Sequence, residues 1–164
     1  MRHISLRTLL ITVAVLAVLP LFVPTAVHAQ DTDAMLTRYI AALNANMPPR
    51  LNAAAVANLF AEDSLQWHPF GEPPFAGGQP QRGRETLTRF FSAFDSWKDW
   101  THVERNRTVQ GSHAVWEGTA QGTHKDTGKF VKLPIVFVLE FTADGLVKED
   151  RVYVDNHLIG DQLK

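Results

Sequence analysis

The sequence predicts an α+β fold: a cone-shaped, strongly curved antiparallel sheet covered by three N-terminal helices. Three observations predict it. Before Trp100, apolar residues recur at helical spacing in three segments, interrupted by one short strand-like run. After Asp99, strand-like alternation occupies four successive segments separated by turn residues, which reads as a meander of hairpins. Helices gathered ahead of a run of strands argue for α+β layering rather than alternating units.

The elements follow in order. Arg2 and Arg7 precede an apolar run from Leu9 to Val23 that is interrupted by Pro20, and Val27-His28-Ala29 ends in a small-residue cleavage pattern. Residues 1–29 are therefore expected to be a secretory signal peptide and 30–164 a single domain. The run falls short of the ~20 residues a spanning helix needs. The expected location is the periplasm or the exterior of a bacterial cell, with no membrane contact after cleavage. Asp31 and Asp33 can cap a first helix, in which Met35, Leu36, Tyr39, Ile40 and Leu43 form one apolar face. Asn44 to Pro49 breaks it. A second helix is predicted over Asn52 to Ala61 and a strand over Ser64 to His68. Pro69 to Gly83, with four prolines and four glycines, is a loop long enough to suggest a function. Arg84 and Glu85 open a third helix with a stripe of Leu87, Phe90, Phe91, Phe94 and Trp97. Strands follow over Trp100 to Gln110, Ser112 to His124, Phe130 to Phe141 and Leu146 to His157, the last pair joined by the Asp144-Gly145 turn signal. Gly118 and Gly122 are candidates for the bend of the sheet, and Pro134 for an edge or bulge.

Composition narrows the function. The chain carries 16 basic and 17 acidic residues, and loss of Arg2 and Arg7 would take the net charge from -1 to -3. No basic patch points to nucleic acid. The absence of cysteine excludes disulfides, thiolate chemistry and lipid-modified cysteine. His68, His102, His113, His124 and His157 show no metal-ligand spacing, so no metal is expected. No phosphate-binding glycine loop or nucleophile elbow is present, and no cofactor is expected.

The closing strand holds the candidate site. Its odd positions read Glu149, Arg151, Tyr153, Asp155 and His157. Side chains alternate across a strand, so an inward-looking odd face would line a polar pocket rather than a core. On that expectation Asp155 is the catalytic acid/base, the competing reading being a cap for the C-terminal tail. His68, at a strand end beside the long loop, is the second catalytic candidate. Glu149 and Arg151 would either pair structurally or bind an anionic or enolate oxygen. Tyr39, Trp67, Trp116, His124 and Tyr153 complete the candidate substrate-binding set, with core roles competing for Tyr39 and the tryptophans.

The element order, Leu59-Phe60-Ala61-Glu62-Asp63-Ser64, Gly83-Arg84-Glu85 before the aromatic helix and Gly122-Thr123-His124 after a strand resemble the nuclear-transport-factor-2-like superfamily. The ending Lys148-Glu149, Asp155-Asn156 and Gln162-Leu163 resembles its SnoaL-like polyketide cyclase branch. The resemblance implies a ligand-holding cone, an acidic acid/base matching Asp155, and a homodimer packed through the outer sheet face, where Val136 and Val138 alternate with Lys132 and Glu140. Two functional readings follow: a cofactor-independent cyclase, isomerase or dehydratase acting on a small apolar carbonyl compound, or a non-catalytic ligand-binding or scaffold protein of the same fold. The enzyme reading requires Asp155 and His68 to meet in one enclosed pocket.

Overall fold

The computed structural model describes residues 29–69 and 79–164. The predicted signal peptide, but for its last residue, and the middle of the proline- and glycine-rich loop lie outside the described residues. Helix α1 (Ala29–Ala45) is followed by α2 (Ala53–Ala57), strand β1 (Phe60–Trp67), a short strand β2 (Gln81–Arg82) and α3 (Gly83–Ser92). A 3₁₀ turn (Ala93–Ser96) leads to β3 (Trp97–Gln110), β4 (His113–His124), β5 (Phe130–Phe141), β6 (Val147–Val154) and α4 (His157–Leu163). The six strands form one curled, unclosed sheet in the order β2-β1-β6-β5-β4-β3.

Several boundaries differ from the expectation. The second helix is shorter and the first strand longer, because Phe60 and Ala61 join the sheet instead of prolonging the helix. The aromatic helix stops at Ser92, and Trp97 opens β3. The tail is a helix, so β6 ends at Val154 rather than at His157. The sheet is not wholly antiparallel. The β3 to β6 meander is, but β1 lies parallel to β6, with Gln66 beside Asp150 and Trp67 beside Arg151. Parallel neighbours need a long connection, and here the connection is everything between β1 and β6.

A β-bulge decides which residues of β6 face inward. Glu140 pairs with Glu149 and Phe141 with Val147, so Lys148 is an extra residue on β6. A one-residue insertion reverses the alternation. Val147 and Phe141 point into the core, and so does Asp150 opposite Leu139, with Val152 opposite Phe137. Apolar residues of α1 close this inner face. Tyr39 meets Phe60, Phe137 and Phe141 edge-on, with ring centroids 6.0 to 6.5 Å apart. A polar clamp holds the other side of α1: Arg107 on β3 bonds Glu104, Asp33 and Thr37, and Glu104 accepts the Trp116 indole N–H at 2.8 Å.

The tight turn before β6 uses Gly145 at φ 86°, a left-handed conformation suited to glycine. Gly122 answers a different need, the close approach of β3. A Cβ there would stand 2.2 Å from the Asp99 carbonyl oxygen and 2.8 Å from the Trp100 ring. Gly122→Ala is accordingly expected to destabilise the fold by about 1–3 kcal/mol through overpacking, read as a lower midpoint in urea unfolding with an unchanged slope.

Candidate functional site

The inner face of the sheet lines a cavity of about 60 Å³ that is partly open to solvent. Its enclosed space takes only a few water-sized groups, each needing roughly 10–15 Å³, so a larger ligand would project through the open side. The walls are aromatic: Phe90 and Phe91 from α3, Phe94 from the 3₁₀ turn, Trp97 and Trp100 from β3, and Phe137 from β5. The polar groups come from neighbouring inward positions. Asp150 projects from β6, 1% exposed, and Gln66 sits beside it on β1 because the two strands run parallel in register. Gln66 Nε2 donates to Asp150 Oδ2 at 3.3 Å. Tyr39 reaches the same carboxyl from α1. His68 lies one pleat beyond Gln66, its ring 5.3 Å from that of Phe90. Asp150 Oδ1 and Gln66 Oε1 are buried without a hydrogen-bond partner among the described residues.

Burial governs the electrostatics. It pushes the Asp150 carboxyl up to about 7, held back by hydrogen bonding from Gln66 and Tyr39 and raised slightly by the Glu149 charge. Tyr39 is driven well above the usual phenol value, first by burial and then by the Asp150 charge, so it remains a protonated donor. Burial lowers His68 to about 4, leaving a neutral imidazole at ordinary pH. His102 is likewise lowered to about 4 by burial. Its tautomer follows from its partners. Asn44 Oδ1 faces its Nδ1 at 3.0 Å and the Trp100 indole N–H points to its Nε2 at 3.4 Å, which assigns the proton to Nδ1. His102 thus pins α1 to β3.

Residues 36–150 match the SnoaL-like domain family. The chain belongs to that family. No curated protein sequence matches it. Among solved structures, a phenazine biosynthesis-related protein from Pseudomonas aeruginosa is similar at TM-score 0.64 and 14% identity, covering 82% of each chain. An epoxide hydrolase/cyclase-like enzyme with a role in pyran ring formation in the polyether salinomycin gives 0.63 and 17%, covering 78% of this chain and 93% of its own. A protein of ketosteroid isomerase-like fold from Catenulispora acidiphila, in complex with trimethylamine, gives 0.63 and 19%, covering 78% and 90%. At these identities the likeness establishes the fold alone.

The structure brings only some of the sequence-predicted residues together in this SnoaL-like domain. Tyr39 and His68 line the cavity. The expectation that the odd face of the last strand looks inward is corrected: the Lys148 bulge turns Glu149, Arg151 and Tyr153 to the outer face. Asp155 is exposed beyond the end of β6, where its Oδ1 accepts the His157 backbone N–H at 3.0 Å. It lines an outer groove with Tyr153, His157, Arg105 and Glu117, and does not meet His68. Glu149 and Arg151 pair with each other at 3.3 Å. Trp116 is fully buried one layer behind the cavity, stacked on Phe137 at 5.1 Å. Trp67 is half-buried and not among the cavity residues, and His124 lies against Trp97 in a groove outside the cavity.

Sequence reasoning missed Asp150, Gln66, His102 and Asn156. One signal was available. Val152 and Val154 form an apolar even face, and Asp150 is the carboxylate in phase with it. Asp150 also has a consequence for stability. A carboxyl whose folded pKa is raised favours the fold while protonated, and this contribution is lost as pH climbs from its unfolded value through about 7. His68 and His102 act oppositely, weakening the fold as pH falls below the usual histidine value toward 4. Comparing wild type with Asp150→Asn isolates the carboxyl. The variant should gain on wild type by up to about 1.4 kcal/mol per pH unit between pH 5 and 7 in urea unfolding, then hold level.

Proposed function

We propose that this SnoaL-like domain is a cofactor-independent enzyme of the cyclase, isomerase or dehydratase type, moving a proton on a small, largely apolar carbonyl compound with Asp150 as the acid/base. The observation that carries this reading is a carboxyl, raised to about 7 by burial, facing an aromatic cavity with one oxygen unpartnered among the described residues. A group poised near neutrality both takes and returns protons efficiently. Asp150 removes a proton from the carbon next to the carbonyl, the electron pair moves to the carbonyl oxygen, and neutral donors, the Tyr39 hydroxyl and the His68 imidazole, stabilise the resulting enolate. The proton then returns from Asp150 to carbon. The role of the salinomycin-related structural neighbour in ring formation agrees with this class of chemistry. The proposal includes export directed by residues 1–29.

The small volume of the cavity favours one competing reading, a non-catalytic ligand-binding or dimeric scaffold protein of the same fold. Exchange chemistry separates the two. With 2-tetralone, which enolises readily, in deuterated water, the purified chain should catalyse exchange of the α-hydrogens, followed by NMR. The rate should rise with pH through an apparent pKa near 7, because the base must be ionised. Asp150→Asn should lower the rate by at least roughly 100-fold, and Asp155→Asn should leave it unchanged. Saturable binding with no exchange above background favours the non-catalytic protein.

We also propose that two copies pair through the outer sheet face, where Val136 and Val138 stand half-buried between Lys132 and Glu140. Light scattering should return twice the chain mass, and Val136→Lys should halve it.

A further inference from the structure

Asn156 stands apart from the polar cluster of the cavity. Tyr39 and Gln66 gather about Asp150, His68 lines the cavity beyond Gln66, and His102 is held by Asn44. Asn156 lines the same cavity from the far end of the closing strand, with Val152 and Val154 between it and Asp150. Its Nδ2 is buried and has no hydrogen-bond partner among the described residues. The side chain does not cap the helix that follows, since the Asp155 carboxylate takes the first free backbone N–H there. Among the residues that line the cavity with it are the apolar Leu133 and Ile135 on the sheet and Ile159 one turn into α4. An amide donor left unsatisfied in such a place is unfavourable, and a ligand acceptor would relieve it.

We propose that Asn156 is a specificity-determining residue whose Nδ2 donates to an acceptor oxygen at the end of the ligand remote from Asp150. The ligand class is thereby narrowed to elongated apolar carbonyl compounds with a second, uncharged oxygen: an ether, ester or further ketone. A carboxylate at that end is disfavoured, because no Lys or Arg among the described residues lines the cavity. The inference rests on Asp150 as the reacting end.

The test measures binding of 2-tetralone and 6-methoxy-2-tetralone to the full chain by calorimetry, with α-hydrogen exchange followed in parallel. Wild type should bind the methoxy compound roughly fivefold more tightly, the size of one neutral hydrogen bond. Asn156→Leu and Asn156→Ala should bring the ratio to about one, a change that general loss of structure would not produce because both ketones would suffer alike. Asp150→Asn should keep the preference while losing exchange. Equal affinities in wild type, or a preference unchanged in both Asn156 variants, overturns the inference. Preference without exchange supports the remote donor and removes the acid/base reading. Exchange without preference does the reverse, and failure of either ketone to bind overturns both.

Discussion

The extra residue at Lys148 is the constraint on which the interior depends. Without it, the alternation begun by Val147 would carry Glu149 and Arg151 into the core and send Asp150 to solvent. Two charged side chains facing Leu139 and Phe137 would have to be desolvated, whereas the outer face leaves them partly hydrated and paired at 3.3 Å. The bulge admits one carboxyl to the aromatic interior. Lys148 itself bonds the Glu140 carboxylate at 2.8 Å on the outside, so the inserted residue is tied to the strand it disrupts.

The parallel placement of β1 beside β6 completes what the bulge begins. Register puts Gln66 next to Asp150, and the inward pleat then delivers His68 in phase with Val152. Tyr39 arrives from the opposite direction, on a helix whose seat is fixed by three aromatic edges and by Arg107 on its far side. No polar group of this cluster carries a formal positive charge that would hold Asp150 ionised. Its protonation is set by dehydration rather than by an ion pair, which is why the carboxyl sits near neutrality instead of in the acid range.

Much of the architecture was legible in the sequence, and the inward face of the last strand was not. The helical stripe of Met35 to Leu43 and the strict alternation from Val131 to Phe141 survive almost residue for residue, because each buries one unbroken apolar face. Tyr39 and His68 were reachable because one belongs to such a stripe and the other closes a strand before a loop. Asp155 attracted the base role through a polar alternation that holds in the sequence but points outward in space. A bulge carries no composition signal of its own. Only the change of apolar phase, from Val147 to Val152 and Val154, announces it. The parallel β1 to β6 pairing and the Asn44 to His102 link join residues far apart in the chain, beyond the reach of any local pattern. The pattern nonetheless supplied the fold class, and the motif resemblance the family to which residues 36–150 belong.

The last helix ends with a small substitution of side chain for main chain. Strand β6 stops opposite Ile135, so the start of β5 loses its neighbour there, close to the exposed ring of Phe130. Gln162 fills part of the gap: its Oε1 accepts the Lys132 N–H at 2.9 Å and its Nε2 donates to the Lys132 carbonyl at 3.2 Å, as a passing strand would. A bare strand rim with an aromatic beside it is a template for stacking between molecules. The carboxamide occupies that template, so the C-terminal turn guards the colloidal behaviour of the protein, and trimming its last few residues exposes an adhesive rim while leaving the aromatic interior untouched.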